Sequence, residues 1–265
     1  MTVAVEPGIC IQIGGIAISV SSNDAEFLGV LRDRYGHFVQ PSHEPDFQFE
    51  IDIQPGRGVG EDVQVWRQGR MWHMTRGDFE AEWDPDRRTG VVRQGRNRYG
   101  FDSVLRIVHS LVLARRGGFL LHSASVIRNG KAFLFSGVSG VGKTTISSLA
   151  PADVTLLTDE ISYVGREQNQ YRAYGTPFAG ELAKIGENVS APLQALYFLA
   201  QGPENRIEPL KPTDAAAMLL RNTLFFAHEP ELVRMVFNNA CEFARRVQPS
   251  RLTFTRDRRV WELIH

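Results

Sequence analysis

At residues 133–145 the chain reads Phe133-Leu-Phe-Ser-Gly-Val-Ser-Gly-Val-Gly-Lys-Thr-Thr145. Gly137, Gly142, Lys143 and Thr144 satisfy the whole pattern G-x-x-x-x-G-K-[ST]. Glycines let the backbone turn tightly, so that successive N–H groups can face phosphate oxygens, and a helix that follows adds the positive end of its dipole. The pattern predicts a phosphate-binding loop. The predicted nucleotide contacts are Gly137, Val138, Ser139, Gly140, Val141, Gly142, Lys143, Thr144 and Thr145.

The segments around the glycines support this interpretation. Lys131 to Ser136 reads as a buried strand, and Thr144 to Leu149 reads as a short helix that Pro151 ends. In such a loop the lysine reaches the β- and γ-phosphates, and the threonine hydroxyl can bind Mg²⁺. The sequence therefore predicts ATP and Mg²⁺ as cofactors.

An antiparallel hairpin is predicted immediately before the loop. Phe119 to Arg128 is an apolar strand, and Asn129-Gly130 separates it from the strand that enters the loop. Asn-Gly between two apolar runs is a strong hairpin signal. We therefore expect an α/β fold with an α+β tendency, in which the phosphate loop lies on a mixed sheet.

Two domains are predicted, a β-rich N-terminal module at residues 1–100 and the phosphate-loop domain at residues 101–265. In the module, alternation and turn signals predict strands at Ile11–Val20 and Phe47–Ile53, a helix from Asn23 to Gly36, and hairpins about Gln68-Gly69 and Asp84-Pro-Asp86. In the second domain they predict helices at Asp102–Arg116, Thr213–Phe226 and Glu229–Val247, strands at Val154–Thr158, Ile161–Gly165, Tyr171–Tyr174 and Leu193–Leu199, and a final hairpin of Leu252–Thr255 with Val260–Ile264.

Asp159 and Glu160 follow the first strand after the loop. A kinase needs a carboxylate to hold the metal and a base for the acceptor hydroxyl. Neighbouring residues of a strand point to opposite faces, so we expect one of the two to face the loop, and the shorter Asp159 is preferred. Asp159 is a candidate base or metal ligand, and Glu160 is a second candidate ligand.

Two further residues are open to both a functional and a structural interpretation. His122 lies on the first strand of the predicted hairpin, the one that pairs with the strand entering the loop, and a lone histidine in an apolar strand is usually a core residue. Glu181 ends the irregular segment Gly175–Glu181 and could be a second carboxylate for metal or substrate, or an acid on a surface loop.

Composition limits the possible partners. The chain of 265 residues has 30 basic and 30 acidic side chains, a net charge of zero, and no block of like charges. Nucleic acid is therefore not expected as the main partner. No apolar run has the length of a membrane span, and the first residues do not show the pattern of a secretory signal peptide. The two cysteines, Cys10 and Cys241, lack a zinc-like spacing. We expect a cytoplasmic protein, and the oligomeric state, including a homo-oligomer, stays open.

The order of motifs resembles the catalytic domain of HPr kinase/phosphorylase, whose fold is that of the phosphoenolpyruvate-carboxykinase-like proteins. The resemblance rests on Leu121-His-Ser-Ala-Ser-Val126, the hairpin, the glycine loop and Leu157-Thr-Asp-Glu160. It implies that His122 is functional, that Asp159 and Glu160 occupy the positions of the family's paired aspartates, and that Glu181 falls roughly where the family has a later acid. The second aspartate is a glutamate here, the segment used for the reverse reaction is not recognisable, and residues 1–100 do not resemble the family's N-terminal domain.

The sequence thus predicts an ATP- and Mg²⁺-dependent kinase that phosphorylates a hydroxyl, preferably a serine of a protein or peptide. The predicted catalytic residues are Asp159, His122 and Lys143, and the predicted metal ligands are Thr144, Asp159, Glu160 and Glu181. Two alternatives stay open. One is a kinase for a small-molecule hydroxyl, and the other is a nucleotide-sensing module that binds ATP without transferring phosphate.

Overall fold

The structure is a computed structural model that describes residues 8–55, 62–178, 180 and 185–265. Backbone contacts divide the chain into two compact units, residues 1–109 with 226–230, and residues 110–225 with 231–265. Each unit contains one mixed sheet, so the predicted α/β class is confirmed. The proposed domain boundary at residue 100 stays a prediction.

The first unit is a seven-stranded sheet with the spatial order β1-β2-β3-β7-β6-β5-β4. Its elements are β1 (Ile9–Ile13), β2 (Ile16–Ser22), α1 (Ala25–Tyr35), a 3₁₀ turn (Gly36–Phe38), β3 (Phe47–Ile53), β4 (Gln64–Gln68), β5 (Met71–Arg76), β6 (Phe79–Asp84) and β7 (Thr89–Gln94). The helix α2 (Arg98–Arg116) follows, starting four residues before the predicted Asp102. The predicted strand at Phe47–Ile53 and both predicted hairpins are confirmed.

The single strand predicted over Ile11–Val20 is wrong, because the chain turns in the middle of it. Gly14 and Gly15 adopt positive φ angles of 58° and 76°, a conformation that glycine adopts without steric cost and that is typical of a tight hairpin turn. The turn folds β2 back on β1 as an antiparallel pair. The following helix is capped by Asp24, whose side chain accepts from the Phe27 N–H, one residue after the predicted cap at Asn23.

The second unit is built on a nine-stranded sheet. Its elements after α2 are β8 (Phe119–Arg128), β9 (Lys131–Ser136), α3 (Lys143–Ser148), β10 (Thr155–Thr158), β11 (Ile161–Glu167), β12 (Gln170–Tyr174), β13 (Ser190–Gln201), β14 (Arg206–Pro209), α4 (Pro212–Asn222), β15 (Thr223–Leu224), α5 (Pro230–Val247), β16 (Ser250–Phe254) and a 3₁₀ helix (Arg258–Leu263). Five strands pair in a closed ring, in the order β8, β11, β12, β13 and β9, with β9 returning to β8.

The hairpin predicted before the glycine loop is confirmed. β8 and β9 are antiparallel, with Ser123 opposite Ser136, and Asn129 and Gly130 both have positive φ angles at the turn, 51° and 74°. On its other side β9 pairs in parallel with β13. The sheet that carries the loop is therefore mixed, as expected.

Successive residues of β8 and β9 point to opposite faces of the sheet, and their apolar side chains contribute to two separate hydrophobic cores. One core includes Leu121, Leu134 and Phe198 together with residues of α4 and α5. The other includes Ala124, Phe135 and Ile146, and it continues to the C-terminal 3₁₀ helix. The short helix α3 therefore packs on the second face.

Two predictions for the C-terminal part are wrong. The helix predicted over Thr213–Phe226 ends at Asn222, because residues 223 and 224 pair with β8 as β15. The predicted final hairpin is also absent from the described residues, since the segment after β16 forms a 3₁₀ helix that Asp257 caps. Val260 and Trp261 are buried there, and Arg128 donates to the carbonyl oxygens of Trp261 and Ile264, at 2.6 and 2.7 Å.

Candidate active site

The candidate site lies where parallel strands of the second unit end. β9 and β10 are both antiparallel to β8, so they run in the same direction on its two sides. β9 ends at Ser136 and passes into the glycine loop, and β10 ends at Thr158 and passes into Asp159. Ligands of such sheets bind outside the carboxyl ends of the strands. The topology thus brings the glycine loop and the two acidic residues to one edge.

The glycine loop connects β9 to α3, which begins at Lys143. Gly142 has a φ of 117°, and a Cβ atom there would lie 2.7 Å from the Phe254 ring. Both the backbone conformation and the close aromatic neighbour require glycine at this position. The Gln201 side chain donates to the carbonyl oxygen of Gly140 at 3.2 Å, which ties the loop to the end of β13.

Lys143 is folded back onto its own loop. Its side chain is mostly buried, and Nζ donates to the carbonyl oxygens of Gly137 at 3.0 Å and Val138 at 3.3 Å. The ammonium group is therefore held inside the loop, at the point where the pattern predicts phosphate contacts.

Asp159 and Glu160 form a bend between β10 and β11 rather than part of a regular strand. The buried Thr158 hydroxyl organises this bend, because it accepts from the N–H groups of Glu160 and Ile161 and donates to the Phe178 carbonyl, all at 3.3 Å. The expectation that only one of the two acids would face the loop is wrong. Strand alternation does not apply in the bend, and both residues line the same cavity.

The segment after β12 returns to this bend. The N–H groups of Thr176 and Glu187 donate to the carbonyl oxygens of Leu157 and Leu156, at 3.1 and 3.0 Å. Between them, the Gly180 N–H donates to Asp159 Oδ1 at 2.8 Å. Asp159 is buried, with 4% of its surface exposed, and its carboxylate is thereby held by a segment that is distant in the sequence. Glu181 lies outside the described residues.

His122 lies on β8 at the level of the loop. It precedes Ser123, which is opposite the last residue of β9, and the Ser136 hydroxyl donates to the His122 carbonyl oxygen at 2.9 Å. By strand alternation its side chain shares a face with Ala124, which packs in the core beneath α3. Burial, and to a smaller extent the nearby charge of Lys143, lower the pKa of His122 below its ordinary value.

One cavity of about 340 Å³ unites these groups. Its lining residues are His122, Ser139, Gly140, Gly142, Lys143, Thr144, Thr145, Asp159, Glu160 and Gly180. The three predicted catalytic residues and three of the four predicted metal ligands therefore share one space. It combines a cation and a glycine-rich backbone with carboxylates, a hydroxyl and an imidazole.

Sequence reasoning missed two residues that shape the cavity, Thr158 and Gly180. Thr158 stood in the quoted run Leu157-Thr-Asp-Glu160, and threonine is a residue whose hydroxyl often bonds to nearby backbone. Gly180 carried a weaker signal, its place in a glycine- and proline-containing segment. A Cβ atom there would lie 2.9 Å from Glu160 Cβ and 3.2 Å from Asp159 Oδ2.

Comparisons with known proteins give a family and, among solved structures, distant matches. Residues 101–265 match the family model described as SynChlorMet cassette protein ScmC. No curated protein matches the chain. Among solved structures, the HPr(Ser) kinase/phosphatase from Coxiella burnetii matches with 15% sequence identity and a TM-score of 0.24, covering 45% of this chain and 93% of that chain. None of the described helices has both the length and the apolar character needed to cross a membrane.

Proposed function

This chain belongs to the ScmC family, and we propose that it is an ATP- and Mg²⁺-dependent kinase of the HPr kinase type that phosphorylates a hydroxyl group. The observation that carries the proposal is the single cavity lined by Lys143, Thr144, His122, Asp159 and Glu160. The order of the sequence motifs, which resembles that of HPr kinase/phosphorylase, is independent support.

The glycine loop and Lys143 have the proposed role of holding the phosphates. Backbone N–H groups of the loop donate to phosphate oxygens, and no flexible side chain has to be ordered for these contacts. The ammonium group neutralises phosphate charge. The Lys143 amine is already enclosed by the loop that it would serve, 3.0 Å from Gly137 O. Little side-chain ordering therefore remains to be done on binding.

The residues of the cavity fit Mg²⁺. This ion prefers oxygen ligands and is usually held by one or two carboxylates together with phosphate oxygens and waters. Thr144 offers a hydroxyl, and Asp159 and Glu160 offer carboxylates in the same cavity. No group of three or more His, Cys, Asp or Glu residues that could hold a metal occurs among residues 8–55, 62–178, 180 and 185–265. With the Thr144 hydroxyl and the two carboxylates as its protein ligands, the proposed ion takes phosphate oxygens and waters as its further ligands.

Asp159 or His122 has the proposed role of orienting the acceptor hydroxyl and taking its proton. ATP with Mg²⁺ supplies the γ-phosphoryl group, whose bond to the acceptor oxygen replaces its bond to ADP. The lowered pKa of His122 favours the neutral imidazole, which can accept a proton. The Gly180 N–H fixes Asp159 Oδ1, so the carboxylate is positioned before the acceptor arrives. A serine of a protein or peptide is the proposed acceptor.

A transfer assay with γ-labelled ATP tests the proposal. The purified protein and its Asp159→Asn variant are each incubated with labelled ATP, Mg²⁺ and a lysate of the host. We expect label on serine of a protein or peptide with the unchanged protein and much less with the variant. Label in a small molecule would identify the second kind of kinase.

Nucleotide binding measured in parallel separates the remaining outcomes. Binding of ATP without transfer of label to any acceptor would support the nucleotide-sensing module instead. Failure to bind ATP would contradict the phosphate-loop assignment itself.

A further inference from the structure

A second cavity, of about 230 Å³, adjoins the first. Gly142 and Thr145 line both cavities. The first cavity continues from them to Lys143, His122 and Asp159, and the second continues to Gln201, Phe254 and Arg256. A ligand that passes the start of α3 could therefore occupy both.

The strand topology places this second cavity at an edge suited to ligands. β9, β13 and β16 are parallel neighbours, and the first of them leads into the glycine loop. β13 ends at Gln201 and β16 ends at Phe254, and these two residues are partners in register. The cavity thus lies outside the carboxyl ends of these parallel strands, the end at which ligands bind in α/β proteins.

The walls of the second cavity are held in place by contacts that need no ligand. The Phe254 ring packs against the backbone of Gly142, as the 2.7 Å approach to a hypothetical Cβ indicates. Gln201 Nε2 donates to Gly140 O at 3.2 Å, and the Thr255 N–H donates to Asn205 Oδ1 at 2.8 Å. Such a preformed space costs little to organise when a ligand binds.

The chemistry of the lining suits a flat aromatic group with polar edges. Phe254 supplies an apolar ring, Gln201 an amide, and the exposed Arg256 a guanidinium group, which stacks well on aromatic faces. None of the described residues that line this cavity carries a carboxylate. A nucleobase has this combination of a π face and hydrogen-bonding edges.

We propose that the second cavity binds the nucleoside of the nucleotide, and that Arg256 is a residue that recognises it. The inference rests on the proposed function, because it takes the phosphates to lie in the first cavity. It assigns opposite ends of the nucleotide to the two cavities, with Thr145 between them. The acceptor hydroxyl then approaches from the side of His122 and Asp159, away from the nucleoside.

The test compares ATP with inorganic tripolyphosphate, which has the phosphates but no nucleoside. Dissociation constants of both, with Mg²⁺, are measured for the full chain, for Arg256→Ala, and for the control Arg258→Ala. Arg258 is an exposed arginine two residues further on that does not line the cavity. We expect Arg256→Ala to weaken ATP binding about tenfold, the loss expected for one stacked guanidinium, and to leave tripolyphosphate binding unchanged.

Hydrogen exchange gives a second readout that does not depend on one side chain. ATP, but not tripolyphosphate, is expected to protect the backbone amides of residues 254–256. Equal binding of ATP and tripolyphosphate by the unchanged protein, equal weakening of both by Arg256→Ala, or equal protection by both would overturn the nucleoside assignment and leave the phosphate site standing. A protein that binds neither compound would overturn the proposed function and this inference together.

Discussion

Lys143 Nζ donates a hydrogen bond to the carbonyl oxygen of Gly137 at 3.0 Å, so the first residue of α3 holds the first residue of the glycine loop. One side chain thereby shapes the loop and places a positive charge in the cavity that also contains Asp159 and Glu160. It also affects His122, since its charge contributes to the lowered pKa of that histidine. The consequences of removing it can be measured at several of these groups.

Replacing Lys143 with alanine is expected to remove most of the stabilisation that ATP gives. A ligand that binds only the folded state raises the melting temperature by mass action. The unchanged protein should show such a rise with ATP and Mg²⁺, and Lys143→Ala should show little of it in the same thermal scan. Lys131→Ala, at the exposed start of β9, is the matched control and should keep the full rise. An undiminished rise in Lys143→Ala would contradict the role of the lysine.

Replacing Asp159 with asparagine is expected to separate binding from transfer. Asparagine keeps an oxygen that can accept from the Gly180 N–H, but it loses the negative charge. ATP binding should stay nearly intact, while the rate of phosphoryl transfer should fall by about 10² or more, the usual loss for a base or charge stabiliser. Asp86→Asn, in an exposed turn, serves as the control. A fully active Asp159→Asn protein would exclude both catalytic roles for this residue.

The lowered pKa of His122 predicts a pH dependence of stability with a definite sign. The folded state binds a proton at this site less readily than the unfolded state does. The free energy of unfolding should therefore decrease as the pH falls through the ordinary histidine pKa towards the lowered one, and be unaffected by this group above the ordinary value.

Urea unfolding at about pH 8 and about pH 5 measures this effect. The unchanged protein should lose more stability between the two pH values than His122→Gln does. His43→Gln, at an exposed position, should lose as much as the unchanged protein. Equal losses of unfolding free energy in all three proteins would show that protonation of His122 does not destabilise the folded state.

Replacing Thr158 with valine is expected to loosen the bend that carries the acidic pair. Valine has a similar shape but cannot accept from the Glu160 and Ile161 N–H groups, which lie in buried or half-buried surroundings. Leaving such groups unpaired costs about 1–3 kcal/mol, to be measured as the change in the free energy of unfolding. Transfer activity should decrease as well, because Asp159 is the next residue.

Two further variants make the Thr158 prediction specific. Thr158→Ser keeps the hydroxyl and should retain most of the stability and activity. Thr155→Val, at the half-buried first residue of β10, should cost much less than Thr158→Val. Similar losses from both valine variants would indicate that burial, and not the hydroxyl, matters at residue 158.

Much of the candidate site could be predicted because its signals are local. The glycine loop and the Asn129-Gly130 turn each specify backbone conformation within a few residues, and both lie where they were expected. Asp159 directly follows β10, the next strand along the chain. Its position beside the glycine loop could therefore be predicted once β10 was expected to run in the same direction as β9. The error about Glu160 arose because a bend replaces the regular strand there.

Contacts between distant segments could not be predicted from local patterns. The Gly180 N–H reaches Asp159 from a segment 21 residues further on. The parallel pairing of β13 with β9, and of β16 with β13, depends on which apolar strands meet in the core. Several strands of this unit have similar apolar composition, so their sequences do not single out one partner.

The closed ring of β8, β11, β12, β13 and β9 has a consequence for the order of events during folding. The hairpin of β8 and β9 can form as soon as residues 119–136 are free, because its strands are adjacent in the chain. The other neighbour of β9 pairs Leu196 with Leu134, a long-range contact whose loop-closure entropy must be overcome first. On a ribosome the glycine loop therefore emerges well before β13, the strand whose end fixes it through Gln201. The binding site is completed late in synthesis, when the ring closes.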